Sequence, residues 1–235
     1  MKKYIPNTIT LINLLSGCMA IICACNPLDM IAGYPAYIVA FCFILLASVA
    51  DFMDGLSARM LGEYSPLGKQ LDSLSDLVSF GVAPALILCN LLMAAGAPLW
   101  GRLLCMLIPL CGALRLALFN IDTTQTHTFK GMPIPAAALF TIGLSAMLAS
   151  DTGANFYATM GCVVICGLMM ISPIRMYSFK LANFNLRENI LPFSLVIVAA
   201  VCICLFGWTG LFYTIGYYIL SSFISTMFVT VPVDE

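Results

Sequence analysis

Long apolar stretches alternate with short polar clusters along the chain. No Lys, Arg, Asp or Glu lies between Lys3 and Asp29, between Asp76 and Arg102, or between Asn189 and Val233. A helix crosses the hydrocarbon of a bilayer with about 20 mostly apolar residues, so the first two stretches each allow one crossing and the third allows two. Division at Gly, Pro and polar clusters predicts eight membrane segments at roughly 8–26, 34–60, 68–94, 98–119, 132–150, 155–173, 189–206 and 209–228. The expected fold class is an all-α integral membrane protein of about eight transmembrane helices.

Composition agrees with that pattern. Of 235 residues, 62% are hydrophobic and 9% charged, and the mean hydropathy is +1.02, which excludes an ordinary soluble domain. A net charge of −1 gives nucleic acid nothing to bind. Lys2 and Lys3 precede the first segment as they would in a secretory leader, but no small-residue cleavage site follows, and the segment reads as a retained helix. Eleven Cys are scattered through apolar segments without Cys-x2-Cys pairs or His partners, so they read as small hydrophobes rather than a zinc site. His127, the only histidine, reads as a loop residue.

Charge placement orients the chain, because loops kept in the cytoplasm are rich in Lys and Arg. With eight crossings, Lys2, Lys3, Arg59, Lys69, Arg115, Lys130, Arg175, Lys180 and Arg187 fall on the side of the N-terminus and only Arg102 falls opposite. Both termini are therefore expected to face the cytoplasm. No internal repeat or linker divides the chain, so residues 1–235 are expected to form a single transmembrane domain.

Four carboxylates interrupt this apolar design. Asp51, Asp54, Asp72 and Asp76 lie within or beside the second and third segments. An Asp at the centre of a spanning helix costs roughly 2.5–3.5 kcal/mol, so the four together cost on the order of 10 kcal/mol, less whatever the interface returns. Asp51 and Asp54, three apart, share a helix face; Asp72 and Asp76, four apart, share another. The intervening loop, with Gly62, Pro66 and Gly68, permits an antiparallel hairpin in which all four converge. Carboxylates held that close in a low dielectric cannot all stay ionised without cations. Hard oxygen donors without His or Cys favour Mg²⁺ or Mn²⁺, and Mg²⁺ is commonly completed by water and substrate phosphates. A pair of such ions can clamp a pyrophosphate while one carboxylate takes a proton from an attacking hydroxyl. Arg59 adds a positive charge for phosphate, and Gly55 and Ala58 leave room for a base or ribose against the backbone. A cation transporter using the same carboxylates is the alternative from a different functional class.

Asp51, Asp54, Gly55, Ala58, Arg59, Gly68, Asp72 and Asp76 fill the pattern D-x2-D-G-x2-A-R-x8-G-x3-D-x3-D at every position. In this the chain resembles the CDP-alcohol phosphatidyltransferase family. The resemblance implies a six-helix catalytic core with further helices in some branches, a metal-filled cavity near the cytoplasmic interface, and a homodimer. It implies metal binding by Asp51, Asp54 and Asp72, with Asp76 as general base and a further ligand. It implies contact of Gly55, Ala58, Arg59 and Gly68 with the CDP moiety, and of Asn7, in the segment Pro6-Asn7-Thr8-Ile9-Thr10 with Asn13, with the donor diphosphate; taken alone, Asn7 or Thr8 reads first as a helix N-cap. Small residues such as Gly143, Ala146 and Gly161 would permit close helix packing.

Two further stretches, Arg115-Leu-Ala-Leu-Phe119-Asn120 and Phe129-Lys130-Gly131-Met132-Pro133-Ile134-Pro135 followed by Ala136-Ala137-Ala138, resemble the phosphatidylserine synthase branch, with Met132 where Leu is more usual. The implied substrates are CDP-diacylglycerol and L-serine. Serine brings a carboxylate, an ammonium and the attacking hydroxyl, for which Arg115, Lys130, Asn120 and Asp76 are a suitable set. Arg115 or Lys130 would take the carboxylate or, alternatively, the donor diphosphate. With no Ser, Cys or His nucleophile beside the aspartates, direct attack on the β-phosphorus is expected rather than a phosphoenzyme. The alternative is the same chemistry with glycerol phosphate or inositol (phosphate) as acceptor; an acceptor phosphate would call for extra basic residues, and the few here weigh mildly against it.

Overall fold

The computed structural model describes residues 4–62, 65–121, 129–150, 155–176 and 190–228. The expectations for Lys2, Lys3, His127, Lys180 and Arg187 lie outside the described residues. Helix α1, Tyr4–Cys25, turns the first apolar stretch into 22 residues of helix, about 33 Å at 1.5 Å per residue and so enough to cross the hydrocarbon. A two-residue hairpin pairs β1, Met30–Ile31, with β2, Tyr34–Pro35, antiparallel. Its turn residues Ala32 and Gly33 both have positive φ, at 52° and 85°, as the tightest hairpin turns require. The chain returns in α2, Ala36–Leu61, which ends where Gly62 adopts a left-handed conformation and its N–H closes on the carbonyls of Ala58 and Arg59.

The third crossing begins with Pro66 in the first turn of α3, Pro66–Asp76, where the Ser65 hydroxyl caps the helix by accepting from the Gly68 N–H at 3.0 Å. Directly after Asp76 the helix widens into a π segment, Leu77–Val82, before resuming as α4, Ala83–Ala94. Pro84 supplies the reason: it has no N–H for the Phe80 carbonyl and its ring crowds that oxygen, so the preceding turn opens. A related break divides the fourth crossing into α5, Leu99–Leu104, and α6, Leu107–Ile121. There Pro109 cannot bond the Cys105 carbonyl, and Cys105 and Met106 instead make the tighter bonds to Arg102 and Leu103.

Helices α7, Ile134–Ala149, and α8, Phe156–Ile171, have 16 residues each, about 24 Å of helix, and need flanking residues to reach both interfaces. Their cytoplasm-facing connections, in the expected orientation, meet where β3, Phe129–Lys130, pairs with β4, Arg175–Met176. Gly131 follows at φ 77°, and a Cβ there would lie 2.3 Å from the Met170 carbonyl oxygen, so both its conformation and its surroundings demand glycine.

The last apolar run, Ile190–Ser225, is continuous in composition but is broken at Gly207 (φ 57°) and a 3₁₀ turn, Gly207–Thr209, into α9, Ile190–Phe206, and α10, Gly210–Phe228. These two pack on each other, with the Gly210 Cα against the Cys202 carbonyl. The protein is thus an all-α membrane bundle, and its helical segments fall in the eight expected stretches. Helix α1 packs on α2, α3 and α4; α7 is buried along most of its length among α4, α8 and α10.

Candidate acidic site in the membrane

The α2–α3 hairpin brings carboxylates from two helices together. One oxygen each from Asp51, Asp72 and Asp76 lies within 4.8 Å of the others. Oxygens that share one Mg²⁺ at about 2.1 Å stand at most about 4.2 Å apart, so the cluster has nearly the spacing of a bound ion. Asp72 Oδ1 is buried without a hydrogen-bond partner. An orphaned carboxylate oxygen within an all-oxygen donor set fits a hard divalent cation. Asp54, one turn beyond Asp51, stands beside this trio: its Oδ2 accepts the Thr10 hydroxyl of α1 at 2.6 Å, and the side chain is buried. Asp76 is held from the same helix, its Oδ1 accepting from Asn13 Nδ2 at 3.1 Å.

The remaining expected residues surround this cluster unevenly. A Cβ added to Gly55 would meet no atom within 4 Å, so packing does not explain a glycine that weakens α2 by about 1 kcal/mol relative to alanine. Gly68, by contrast, is closed upon by Asn7, whose Oδ1 would stand 3.1 Å from an added Cβ, so the start of α1 abuts the start of α3. Ala58 is half-buried and Arg59 exposed at the end of α2. Arg115 on α6 is partly buried, its Nε sealed without a hydrogen-bond partner, within electrostatic reach of Asp76 and of Tyr218 from α10. Asn120 is engaged in structure: its Nδ2 donates to Ser73 Oγ at 2.8 Å and its carbonyl accepts from Lys69 Nζ at 3.0 Å, tying α6 to α3. Lys130 enters through the backbone of the β3–β4 ladder, opposite Arg175.

A model of the CDP-alcohol phosphatidyltransferase family matches residues 3–172. The chain belongs to the CDP-alcohol phosphatidyltransferase family. Curated relatives include the CDP-diacylglycerol–serine O-phosphatidyltransferase of Bacillus subtilis, 36% identical over 76% of this chain and 92% of that protein. The protein of the same name from Methanocaldococcus jannaschii is 36% identical over 73% of this chain and 72% of its own. That of Helicobacter pylori strain J99 is 34% identical over 79% and 77%.

The family match ends near the close of α8, so α9 and α10 lie beyond it. Yet Tyr218 of α10, 1% exposed, lies within electrostatic reach of Arg115. Tyr218 was not anticipated from sequence, although a signal exists. Thr214, Tyr218, Ser221 and Ser222 recur at helical spacing on one side of α10, and all four are buried. Thr10 carries a comparable signal. Its spacing of three from Asn13, in an otherwise apolar helix, marks the two as one polar face.

Proposed function

We propose that this membrane protein transfers the phosphatidyl group of CDP-diacylglycerol to the hydroxyl of L-serine, giving phosphatidylserine and CMP. The observation that carries the chemistry is the convergence of Asp51, Asp72 and Asp76 from the two helices of the signature. The serine acceptor is supported by the names of the relatives, which match over most of the chain.

Asp51, Asp54, Asp72 and Asp76 would hold a pair of divalent ions, Mg²⁺ or Mn²⁺. When bound, these ions neutralise the donor diphosphate and make CMP a better leaving group. The open side of Gly55, with Ala58, Arg59, Gly68 and Asn7, accommodates and orients the CDP end of the donor. Arg115, a partly buried guanidinium with an unsatisfied Nε, attracts the serine carboxylate. Asp76 accepts the hydroxyl proton as the serine oxygen bonds the β-phosphorus. The bond from that phosphorus to the bridging oxygen breaks in the same displacement, and CMP departs with that oxygen. Basic residues concentrated on one side support placing both termini and the site at the cytoplasmic face. The chain acts as a single catalytic domain in a homodimer. Gly143 is taken up within the protomer, since a Cβ there would lie 2.2 Å from the Phe212 backbone nitrogen of α10; Gly161 has open space and is available between copies.

The test is CMP release by detergent-purified protein given CDP-diacylglycerol and Mg²⁺ or Mn²⁺, with serine, glycerol 3-phosphate, inositol phosphate or inositol supplied separately. Release with serine alone, abolished by EDTA, is expected. Release with a different acceptor overturns the choice of serine, and cation flux in liposomes without CMP release overturns the transferase.

A further inference from the structure

The signature of the site lies wholly on α2 and α3, yet two of its four carboxylates are oriented by hydrogen bonds from α1. Thr10 Oγ1 lies 2.6 Å from Asp54 Oδ2 and 3.0 Å from the Pro6 carbonyl; its single proton serves the shorter, charge-assisted contact. Asn13 Nδ2 donates to Asp76 Oδ1 at 3.1 Å. Asn13 is itself anchored, because its backbone carbonyl accepts from Ser79 Oγ at 3.0 Å. Ser79 belongs to the π segment that follows Asp76, and it comes this close only because residue 17 is glycine. A Cβ at Gly17 would stand 2.3 Å from Ser79 Oγ and 2.8 Å from its Cα.

The orientation of the Asn13 amide has a cost. With Nδ2 given to Asp76, Oδ1 is buried without a partner, in a side chain that is 0% exposed. A buried orphan acceptor costs about 1–3 kcal/mol, so the arrangement favours the aspartate at the expense of the amide. The Asn13 bond uses one lone pair of Asp76 Oδ1 and fixes the plane of the carboxylate, leaving Oδ2 and the second lone pair of Oδ1 for metal and substrate.

We infer that Thr10 and Asn13 are positioning residues, which fix the Asp54 and Asp76 carboxylates from outside the signature so that the ion-binding oxygens are set before ions or donor arrive. Because this rests on the metal-dependent transfer proposed above, the wild-type protein is the reference in each measurement. Partners that orient metal ligands typically contribute 10–100-fold in metal affinity or activity. Thr10→Val keeps the volume and removes the hydroxyl; Asn13→Ala removes the amide. The measurement is Mn²⁺ affinity by electron paramagnetic resonance titration, alongside kcat and KM for the donor and the thermal midpoint in detergent. Thr10→Val is expected to remain folded, with a modestly lower thermal midpoint because Asp54 Oδ2 loses its donor, and to bind Mn²⁺ about 10-fold more weakly, and Thr10→Ser to recover wild-type affinity. Asn13→Ala is expected to lose about 10–100-fold in kcat with donor KM within about 2-fold. Wild-type Mn²⁺ affinity in a folded Thr10→Val protein overturns the inference while leaving the transferase intact. Failure of the wild type itself to bind Mn²⁺ overturns both.

Discussion

Two helical hairpins of this protein solve opposite problems in the same solvent. The α2–α3 hairpin carries four aspartates through or beside the bilayer and is braced by α1, whose Thr10 and Asn13 bond two of them. The α9–α10 hairpin carries no formal charge. Helix α9 packs chiefly on α10 and leaves Val196, Ile197, Val201 and Leu205 exposed, as befits a helix apolar on all sides in lipid. A lipid-facing residue needs only to be apolar, whereas an intramembrane carboxylate needs a specific partner at a specific place. The same difference runs through α10, where the side facing the bundle carries Thr214, Tyr218, Ser221 and Ser222.

The strongest way to break the contrast is to remove one carboxylate from the three that converge. Asp72→Asn preserves shape and removes the charge of a group whose Oδ1 is buried without a partner. If Asp72 is a metal ligand as proposed, turnover is expected to fall by about 10²–10³-fold, with Mn²⁺ binding lost in parallel. Turnover within 10-fold of wild type would remove Asp72 from the site. A smaller effect is expected at Gly55, where leucine would enter space that no protein atom occupies. Helix propensity alone makes Gly55→Leu neutral or stabilising by up to about 1 kcal/mol. Donor kcat/KM is expected to fall about 10²-fold, as for other misplacements of a reacting group. Activity at the wild-type level would mean that the open side of α2 is not where the donor lies.

Helix number and the acidic cluster were legible in the sequence for one reason: the bilayer penalises polarity, so a charge kept in a spanning helix stands out against its neighbours. The convergence of Asp51, Asp72 and Asp76 followed from spacing of three and four and a breakable loop. What the spacing did not reveal is that Thr10 bonds Asp54, because the partner of a carboxylate is set by a neighbouring helix rather than by periodicity. Asn120 is likewise oriented by a neighbouring helix: its Nδ2 donates to Ser73 of α3, which sets the direction of its amide. The widened turn after Asp76 was signalled by Pro84, but a proline in a membrane helix announces a distortion without stating its form. The role of Gly17 depends on Ser79, 62 positions along the chain, and was invisible to any local pattern.

The smallest expected effect sharpens the comparison from the other side. Ile197 and Val201 lie four apart on α9 and are 64% and 51% exposed, whereas Leu195 is 5% exposed and is the buried side chain of that helix. If lipid covers the exposed side, truncating Ile197 and Val201 together to alanine exchanges protein–lipid contacts for lipid–lipid ones. It should then change the thermal midpoint and turnover little, with stability altered by about 0.5 kcal/mol or less per site. Leu195→Ala opens a cavity against protein and should cost about 2–3 kcal/mol even though it removes no more carbon than Ile197→Ala. Thermal unfolding and light scattering in one detergent compare the three proteins directly. A double variant that loses as much stability as Leu195→Ala, and that also sediments as a smaller species, would mean that a second copy of the chain covers this side of α9. The C-terminal hairpin would then serve assembly as much as it serves the wall behind Arg115.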